Sequence, residues 1–172
     1  MSSTFIEIDG YSYTINIVGT LTINKFRQRI DKDRIRSVIL GSNVTGIADE
    51  VFESADRLTS IFIPSSVTSI GENVFTNAND LTSVTFGENS QLPTIGRLAF
   101  SGARSLNSIT IPDSVTSIGD YAFSGARSLN SITIPDNVTS IGPFAFSSAT
   151  NLEYVTIPDS VTSIGDYAFS GA

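Results

Sequence analysis

The chain of 172 residues contains neither cysteine nor histidine. Without cysteine it has no disulfide, no thiol nucleophile and no thiolate metal site. Without histidine it lacks the commonest general base and the commonest transition-metal ligand. The sequence also shows no nucleophile elbow, phosphate-binding glycine loop, zinc pattern or paired-carboxylate site. We therefore expect a protein that is not an enzyme and that uses no cofactor and no metal.

Basic residues are scarce as well, with 10 Lys and Arg against 17 Asp and Glu and a net charge of −7. Such an acidic chain is a poor non-specific binder of nucleic acid or anionic lipid. Six of the ten basic residues lie between Lys25 and Arg36, and a short basic run is typical of a solvated helix face. No apolar run reaches the roughly 18 residues of a membrane span. We expect neither a nucleic-acid partner nor membrane insertion.

An internal repeat with a period of 23 residues organises most of the chain. It is plainest where LNSITIPDSVTSIGDYAFSGARS is followed by LNSITIPDNVTSIGPFAFSSATN. The third unit has 25 residues because the stretch FGENSQLPTIG carries two extra ones, and the last unit has 21. We divide the repeat region into six units: 35–57, 58–80, 81–105, 106–128, 129–151 and 152–172.

The first part of each unit predicts a short strand. In the fourth unit, Ile109 and Ile111 are separated by Thr110, and this alternation of β-branched residues is typical of a strand with one buried face. Proline cannot donate to a sheet ladder, so it ends the strand in four units. The apolar first position is Ile35, Leu58, Leu81, Leu106, Leu129 and Leu152, and the prolines are Pro64, Pro112, Pro135 and Pro158.

The second part of each unit supplies the opposite wall. After a second apolar pair, Val115 and Ile118 in the fourth unit, Gly119 and Ala122-Phe123 predict a short helical turn. Phenylalanine and alanine each recur at one fixed position of all six units: Phe52, Phe75, Phe100, Phe123, Phe146 and Phe169, with Ala55, Ala78, Ala103, Ala126, Ala149 and Ala172. We expect the rings to form a buried spine along the stack, each burying on the order of 150 Å², because only stacked neighbours can bury the apolar face of a unit.

At these positions residues 35–172 resemble the BspA-like, or Treponema-type, leucine-rich repeats, whose pattern is L-x-x-I-x-I-P-x-x-V-x-x-I-G-x-x-A-F-x-x-C. The family usually has cysteine where this chain has alanine, and both are small and buried. The resemblance implies an α/β repeat solenoid, a right-handed leucine-rich-repeat array with a parallel β-sheet, short strands and short helical turns. It also implies an extracellular or cell-surface recognition module that binds host proteins or other cells.

Residues 1–34 lie outside the repeat pattern and predict a β-rich N-terminal cap. Asp9-Gly10 between two apolar stretches is a strong hairpin signal, and Leu21–Ile23 predicts a third strand. Phe26 and Ile30 lie four residues apart, as in a short amphipathic helix. We expect this segment to cover the open end of the first repeat.

The candidate binding surface is the outward side of the predicted sheet, which is the usual binding face of such solenoids and is expected to be concave. Most of its side chains are small and polar, and such residues also tile a regular sheet without binding anything. Phe62 and Tyr154 are exceptions, because large exposed aromatic residues are good interface anchors. The candidate binding residues are Arg36, Thr59, Phe62, Thr85, Thr110, Thr133, Tyr154 and Thr156.

Acidic side chains form two further columns. Calcium takes six to eight oxygen ligands, but no calcium-loop spacing is present. The second column precedes the predicted helical turn, where an acidic residue favours a helix N-terminus. We therefore expect capping or a solvated surface at Asp113, Asp136 and Asp159 and at Asp49, Glu72, Asp120 and Asp166.

These observations predict a non-catalytic protein-binding or cell-surface recognition module. Two alternatives stay open: an intracellular interaction scaffold, since the N-terminus lacks the pattern of a secretory signal, and the repeat portion of a longer chain with a separate catalytic domain. The last unit, 152–172, has no following repeat to pair with. We expect it to fray or to mediate self-association, because exposed strand edges pair with other chains.

Overall fold

The computed structural model of the protein describes residues 4–8, 11–15, 18–22 and 32–172. In these residues the fold is a parallel β-solenoid, in which each unit of the repeat makes one turn. Its strands are β1 Thr4–Ile8, β2 Tyr11–Ile15, β3 Gly19–Leu21, β4 Ile35–Ile39, β5 Val44–Ile47, β6 Ser60–Ile63, β7 Ser69–Ile70, β8 Ser83–Phe86, β9 Thr94–Ile95, β10 Ser117–Ile118, β11 Ser131–Thr133, β12 Ser140–Ile141, β13 Tyr154–Thr156 and β14 Ser163–Ile164.

The predicted strands form a first parallel ladder. β4, β6 and β8 pair in parallel with Ser37, Ser60 and Ser83 side by side, so neighbouring strands are displaced by one repeat. β11 and β13 pair in the same way. β6 ends directly before Pro64, as expected for a residue without a backbone donor. The parallel solenoid predicted from the repeat is confirmed.

A second parallel ladder runs along the next side of each turn, where the sequence predicted only an apolar pair. β9, β10, β12 and β14 form one sheet, and β3, β5 and β7 form another. In the two-residue strands β7, β9, β10 and β12 the isoleucine is buried, as Ile118 and Ile141 are, and serine or threonine precedes it. Leu21 of β3 pairs with Ile47 of β5, so this ladder begins ahead of the first complete unit.

The third side, around the phenylalanine column, was predicted to hold helical turns, and that prediction is wrong. The Ala122 N–H donates to the Gly119 carbonyl of the same turn, but the Phe123 N–H donates to the Ala145 carbonyl of the next turn. Tyr121, with φ of 56°, has left-handed backbone geometry that interrupts a right-handed helix. Successive N–H groups of this segment thus donate alternately to a carbonyl of their own turn and to a carbonyl of the next turn. The single helix in the described residues is a 3-10 helix, Lys32–Arg34.

The core is a continuous apolar column inside the stack. The six phenylalanine rings stack with centroids 5.2–5.4 Å apart and nearly parallel planes. All but Phe169 are fully buried. The alanines are fully buried in the first five units, while Ala172 is exposed. The predicted phenylalanine spine is therefore present.

The N-terminal strands extend the first ladder. β1 and β2 pair antiparallel with Ile8 opposite Tyr11, as expected for a hairpin with a two-residue turn. β1 also pairs antiparallel with β4, where Glu7 lies beside Ser37. The predicted helix around Phe26 lies outside the described residues. The boundary between a cap and the repeats at residues 34 and 35 stays a prediction.

Candidate binding surface

The outward side of β4, β6, β8, residues 107–111, β11 and β13 is called the strand face below. Seven of the eight predicted binding residues lie on it, and Thr59 directly precedes β6. Thr59 and Phe62 are half-buried, and the other six are exposed: Arg36, Thr85, Thr110, Thr133, Tyr154 and Thr156. The inside and outside positions read from the strand alternation match the structure, but binding by these residues remains a prediction.

The two aromatic residues of the strand face differ in setting. Tyr154 is 72% exposed, so most of its ring is free to contact a partner. Phe62 is half-buried and lies between Ile39 on β4 and Thr85 on β8. Ile39 is itself 48% exposed, so it forms a small apolar patch with Phe62. Sequence reasoning did not select Ile39, although its position in the strand pattern marks it as outward.

Many hydroxyl groups of the Ser and Thr columns bond to the neighbouring turn. The Thr59 hydroxyl donates to the Arg36 carbonyl at 2.8 Å. On the side of the second ladder, Thr116 donates to the Pro93 carbonyl at 3.1 Å and Thr139 to the Thr116 carbonyl at 3.3 Å. These hydroxyls donate hydrogen bonds to backbone carbonyls of the stack. The regular recurrence of Ser and Thr is therefore explained by stacking and does not by itself indicate ligand binding.

The acidic columns also have structural contacts. An Asp49 carboxylate oxygen accepts the Glu72 N–H of the next turn at 2.8 Å. Glu72 in turn lies 3.5 Å from Arg97 in an exposed ion pair, which contributes little to stability. Capping at Asp49 therefore acts on a neighbouring turn and not on a helix. Within the described residues, no group of three or more acidic side chains could hold a metal ion.

A second aromatic surface, which sequence reasoning missed, lies on the side of the phenylalanine turns. Tyr121 stacks on Phe144 at 4.8 Å, and Phe144 stacks on Tyr167 at 5.1 Å. All three have φ between 56° and 58°, which is unusual for bulky residues. Tyr167 is 66% exposed. The available signal was the position two residues before each spine phenylalanine, which is aromatic in the last three units.

The strands, stacked turns and repeated apolar positions define the class of leucine-rich-repeat solenoids. The family model described as BspA type leucine rich repeat region matches six copies over residues 16–101 and 81–172. The chain belongs to this family. None of its described helices is long and apolar enough to cross a membrane.

Solved bacterial structures share the fold. A leucine-rich repeat protein from Bacteroides ovatus is 33% identical, with a TM-score of 0.71 over 80% of this chain and 40% of its own. A leucine rich cell surface protein from Faecalibacterium prausnitzii is 35% identical, with a TM-score of 0.69 over 99% of this chain and 46% of its own. The T. pallidum leucine rich repeat protein is 27% identical, with a TM-score of 0.69 over 79% of this chain and 76% of its own.

The chain thus spans less than half the length of the first two of these proteins. The comparison with curated proteins found no match.

Proposed function

We propose that the chain is a non-catalytic recognition module that binds a protein or another cell-surface ligand through its strand face. The observation that carries this proposal is Tyr154, a largely exposed aromatic side chain on strand β13, among small polar residues of the strand face. Aromatic side chains have few rotatable bonds to fix on binding, and they dominate many protein interfaces. Membership of a repeat-scaffold family supports the same reading.

We further propose that the module is displayed at a bacterial cell surface. This rests on the F. prausnitzii protein, which is described as a cell surface protein and matches along nearly the whole chain. The other two interpretations, an intracellular scaffold and the repeat portion of a longer chain with a catalytic domain, differ from it in compartment and in what adjoins the repeats. Surface labelling of the native bacterium distinguishes a surface-displayed module from an intracellular scaffold.

The proposal is tested by binding to a panel of purified extracellular proteins. For any ligand found, we expect Tyr154→Ala to weaken binding roughly tenfold or more, the range for an interface anchor. Phe62→Ala should weaken binding less, because its ring is already half-buried. Tyr154→Ala should leave the melting temperature nearly unchanged, because the side chain is largely exposed. A ligand indifferent to both substitutions would place the binding site elsewhere on the molecule.

For the isolated chain of 172 residues, we propose self-association through the turn around Phe169 as a second interaction. In the fifth unit, the Phe144 and Phe146 N–H groups donate to the Asp166 and Ala168 carbonyls of the sixth. The corresponding donors at Tyr167 and Phe169 point out of the end of the stack. Unpaired backbone donors beside apolar side chains favour pairing with another chain.

We therefore expect the isolated chain of 172 residues either to fray over 152–172 or to associate through these residues. Ile157 and Ile164, which are 40% and 49% exposed, would become buried in such a contact. Light scattering over a concentration series and amide hydrogen exchange test this prediction. A strict monomer whose last unit is as protected from exchange as residues 106–128 would contradict it.

A further inference from the structure

One heptapeptide of the repeat occurs twice with different structures. Residues 106–112 and 129–135 both read LNSITIP. The second copy contains β11, which pairs with β13. The first copy forms no strand, and its only backbone bond to the second copy is a long one of 3.5 Å, from the Asn130 N–H to the Asn107 carbonyl. Because the local sequence is the same, the cause lies in the neighbouring turn.

The neighbouring turn that differs is the third unit, with its two extra residues. The insertion folds on itself between β8 and β9, where the Gln91 side-chain amide donates to the Asn89 carbonyl and the Leu92 N–H to the Ser90 hydroxyl. From β9 onward the second ladder is again in register, with Thr94 beside Ser117. The inserted loop therefore lies at the end of β8, where residues 107–111 do not pair with that strand.

The sheet of β4, β6 and β8 ends at β8, so the side of β8 that faces residues 107–111 has no paired strand. At the sixth position of other units, the Leu40 N–H donates to the Phe62 carbonyl and the Ile134 N–H to the Thr156 carbonyl. The equivalent pair here is the Phe86 N–H and the Thr110 carbonyl, and no hydrogen bond joins them. In a parallel ladder the Val84 N–H points to the same side as that of Phe86. Both donors face residues 107–111 without a partner.

A cleft of about 710 Å³ occupies this gap. Its lining includes Thr85 and Thr110 of the strand face, Phe86, Gln91 and Asn137. Asp113 is the one charged side chain of the lining, and no basic residue contributes to it. On the other side of residues 107–111 lies a smaller cleft of about 340 Å³. Residues 107–111 pair neither with β8 on one side nor with β11 on the other.

We propose that the larger cleft binds an extended peptide segment of a partner protein, added as a strand beside β8. The proposal rests on the recognition function above and names a partner class for it. An extended chain presents alternating donors and acceptors that match the free groups of Val84, Phe86 and Thr110, the arrangement used when a peptide extends a sheet. The volume is in the range of a ligand site. A lysine or arginine of the peptide lies next to Asp113, the unpaired negative charge of the cleft.

The test uses a phage-displayed library of random heptapeptides. A variant lacking Ser90 and Gln91 restores the 23-residue spacing, because Asn89-Leu92-Pro93 then aligns with Ser114-Val115-Thr116. Its sheet should close through a bond from Phe86 to Thr110. We expect the unaltered protein to enrich peptides that contain a basic residue, and the deletion variant to enrich none. Equal enrichment by both proteins, or enrichment by neither, would overturn the proposal.

Two further readouts stand even if the deletion variant fails to fold. A bound peptide should slow amide exchange at Val84 and Phe86, while protection confined to other residues would contradict the proposal. Asp113→Asn should weaken peptide binding roughly two- to fivefold, the effect of an exposed charge pair. Asp159→Asn, in the same column two turns away, is the matched control and should have no effect. Equal effects of the two substitutions would also contradict it.

Two other observations distinguish this proposal from self-association and from binding at the rest of the strand face. Enriched peptides that reproduce LNSITIP would make the occupant a second copy of this chain, contrary to the proposal of a foreign partner. Tyr154 lies on β13, outside the cleft lining. Tyr154→Ala therefore tests the strand face independently, and a failure of the cleft proposal leaves that result unaffected.

Discussion

Phe123→Ala is expected to lower the free energy of unfolding by about 3–5 kcal/mol, the range for truncating a buried phenylalanine. The ring is fully buried and stacks on Phe100 and Phe146 with both centroids 5.3 Å away. The substitution leaves a cavity in the middle of the spine, where a closed stack of turns has little freedom to collapse. Urea denaturation followed by circular dichroism measures the loss.

Thr110→Ala is the control for this prediction. Its side chain is exposed on the strand face, so its removal should cost well under the value for Phe123. Substitutions at exposed positions away from special features usually change stability by about 0.5 kcal/mol or less. Equal destabilisation by the two variants would show that the assignment of inside and outside positions is wrong.

Gly142→Ala is the second substitution expected to have a large effect. A Cβ at this position would lie 2.6 Å from the Asp120 backbone nitrogen and 2.7 Å from the Gly119 carbonyl carbon. These atoms belong to the preceding turn, whose backbone is fixed by the stack. Forcing extra atoms into a packed interior costs about 1–3 kcal/mol or more. In the first unit, Ala48 occupies the same position.

Gly125→Ala is the matched control, because it adds the same methyl group where there is room. The nearest heavy atom to its Cβ would be 3.8 Å away. Its φ of +70° makes alanine unfavourable, at a cost of roughly 1–2 kcal/mol. Thermal unfolding of both variants gives the comparison. If Gly142→Ala melts at the same temperature as Gly125→Ala, the close approach of the turns is not a constraint on the sequence.

The repeat made the interior predictable from the sequence. Each position occurs six times in nearly the same surroundings, so one residue type filling a position identifies its role. Phe123 and Ala126 could be placed in the core because their counterparts in other units are also Phe and Ala. The alternation around Thr110 identified the outward side of the strand for the same reason.

The wall formed by the phenylalanine turns could not be predicted in the same way. Ala122 and Phe123 are compatible with a helical turn, and their local sequence does not favour another structure. The deciding interaction is the hydrogen bond from the Phe123 N–H to the Ala145 carbonyl, which joins residues 22 positions apart in the sequence. Such a bond exists only once the turns are stacked, so it leaves no local signal.

The candidate binding surface was predictable in position but not in detail. The strand alternation placed Phe62 outward, yet the residue is half-buried, because a ring on a sheet packs against its cross-strand neighbours. The recurrence of Tyr121 and Phe144 two positions before a spine phenylalanine was visible in the sequence, but nothing local indicated that the two rings stack on each other. Both residues have left-handed backbone geometry, which bulky residues seldom adopt.

The recognition function is tested most directly by comparing Tyr154→Ala with Tyr167→Ala in a binding measurement. Both tyrosines lie in the last unit and are 72% and 66% exposed, but Tyr154 is on the strand face and Tyr167 on the wall of phenylalanine turns. For a protein ligand from the extracellular panel, we predict that Tyr154→Ala weakens binding roughly tenfold or more and that Tyr167→Ala leaves it unchanged. Loss of binding with Tyr167→Ala alone would contradict the assignment of recognition to the strand face.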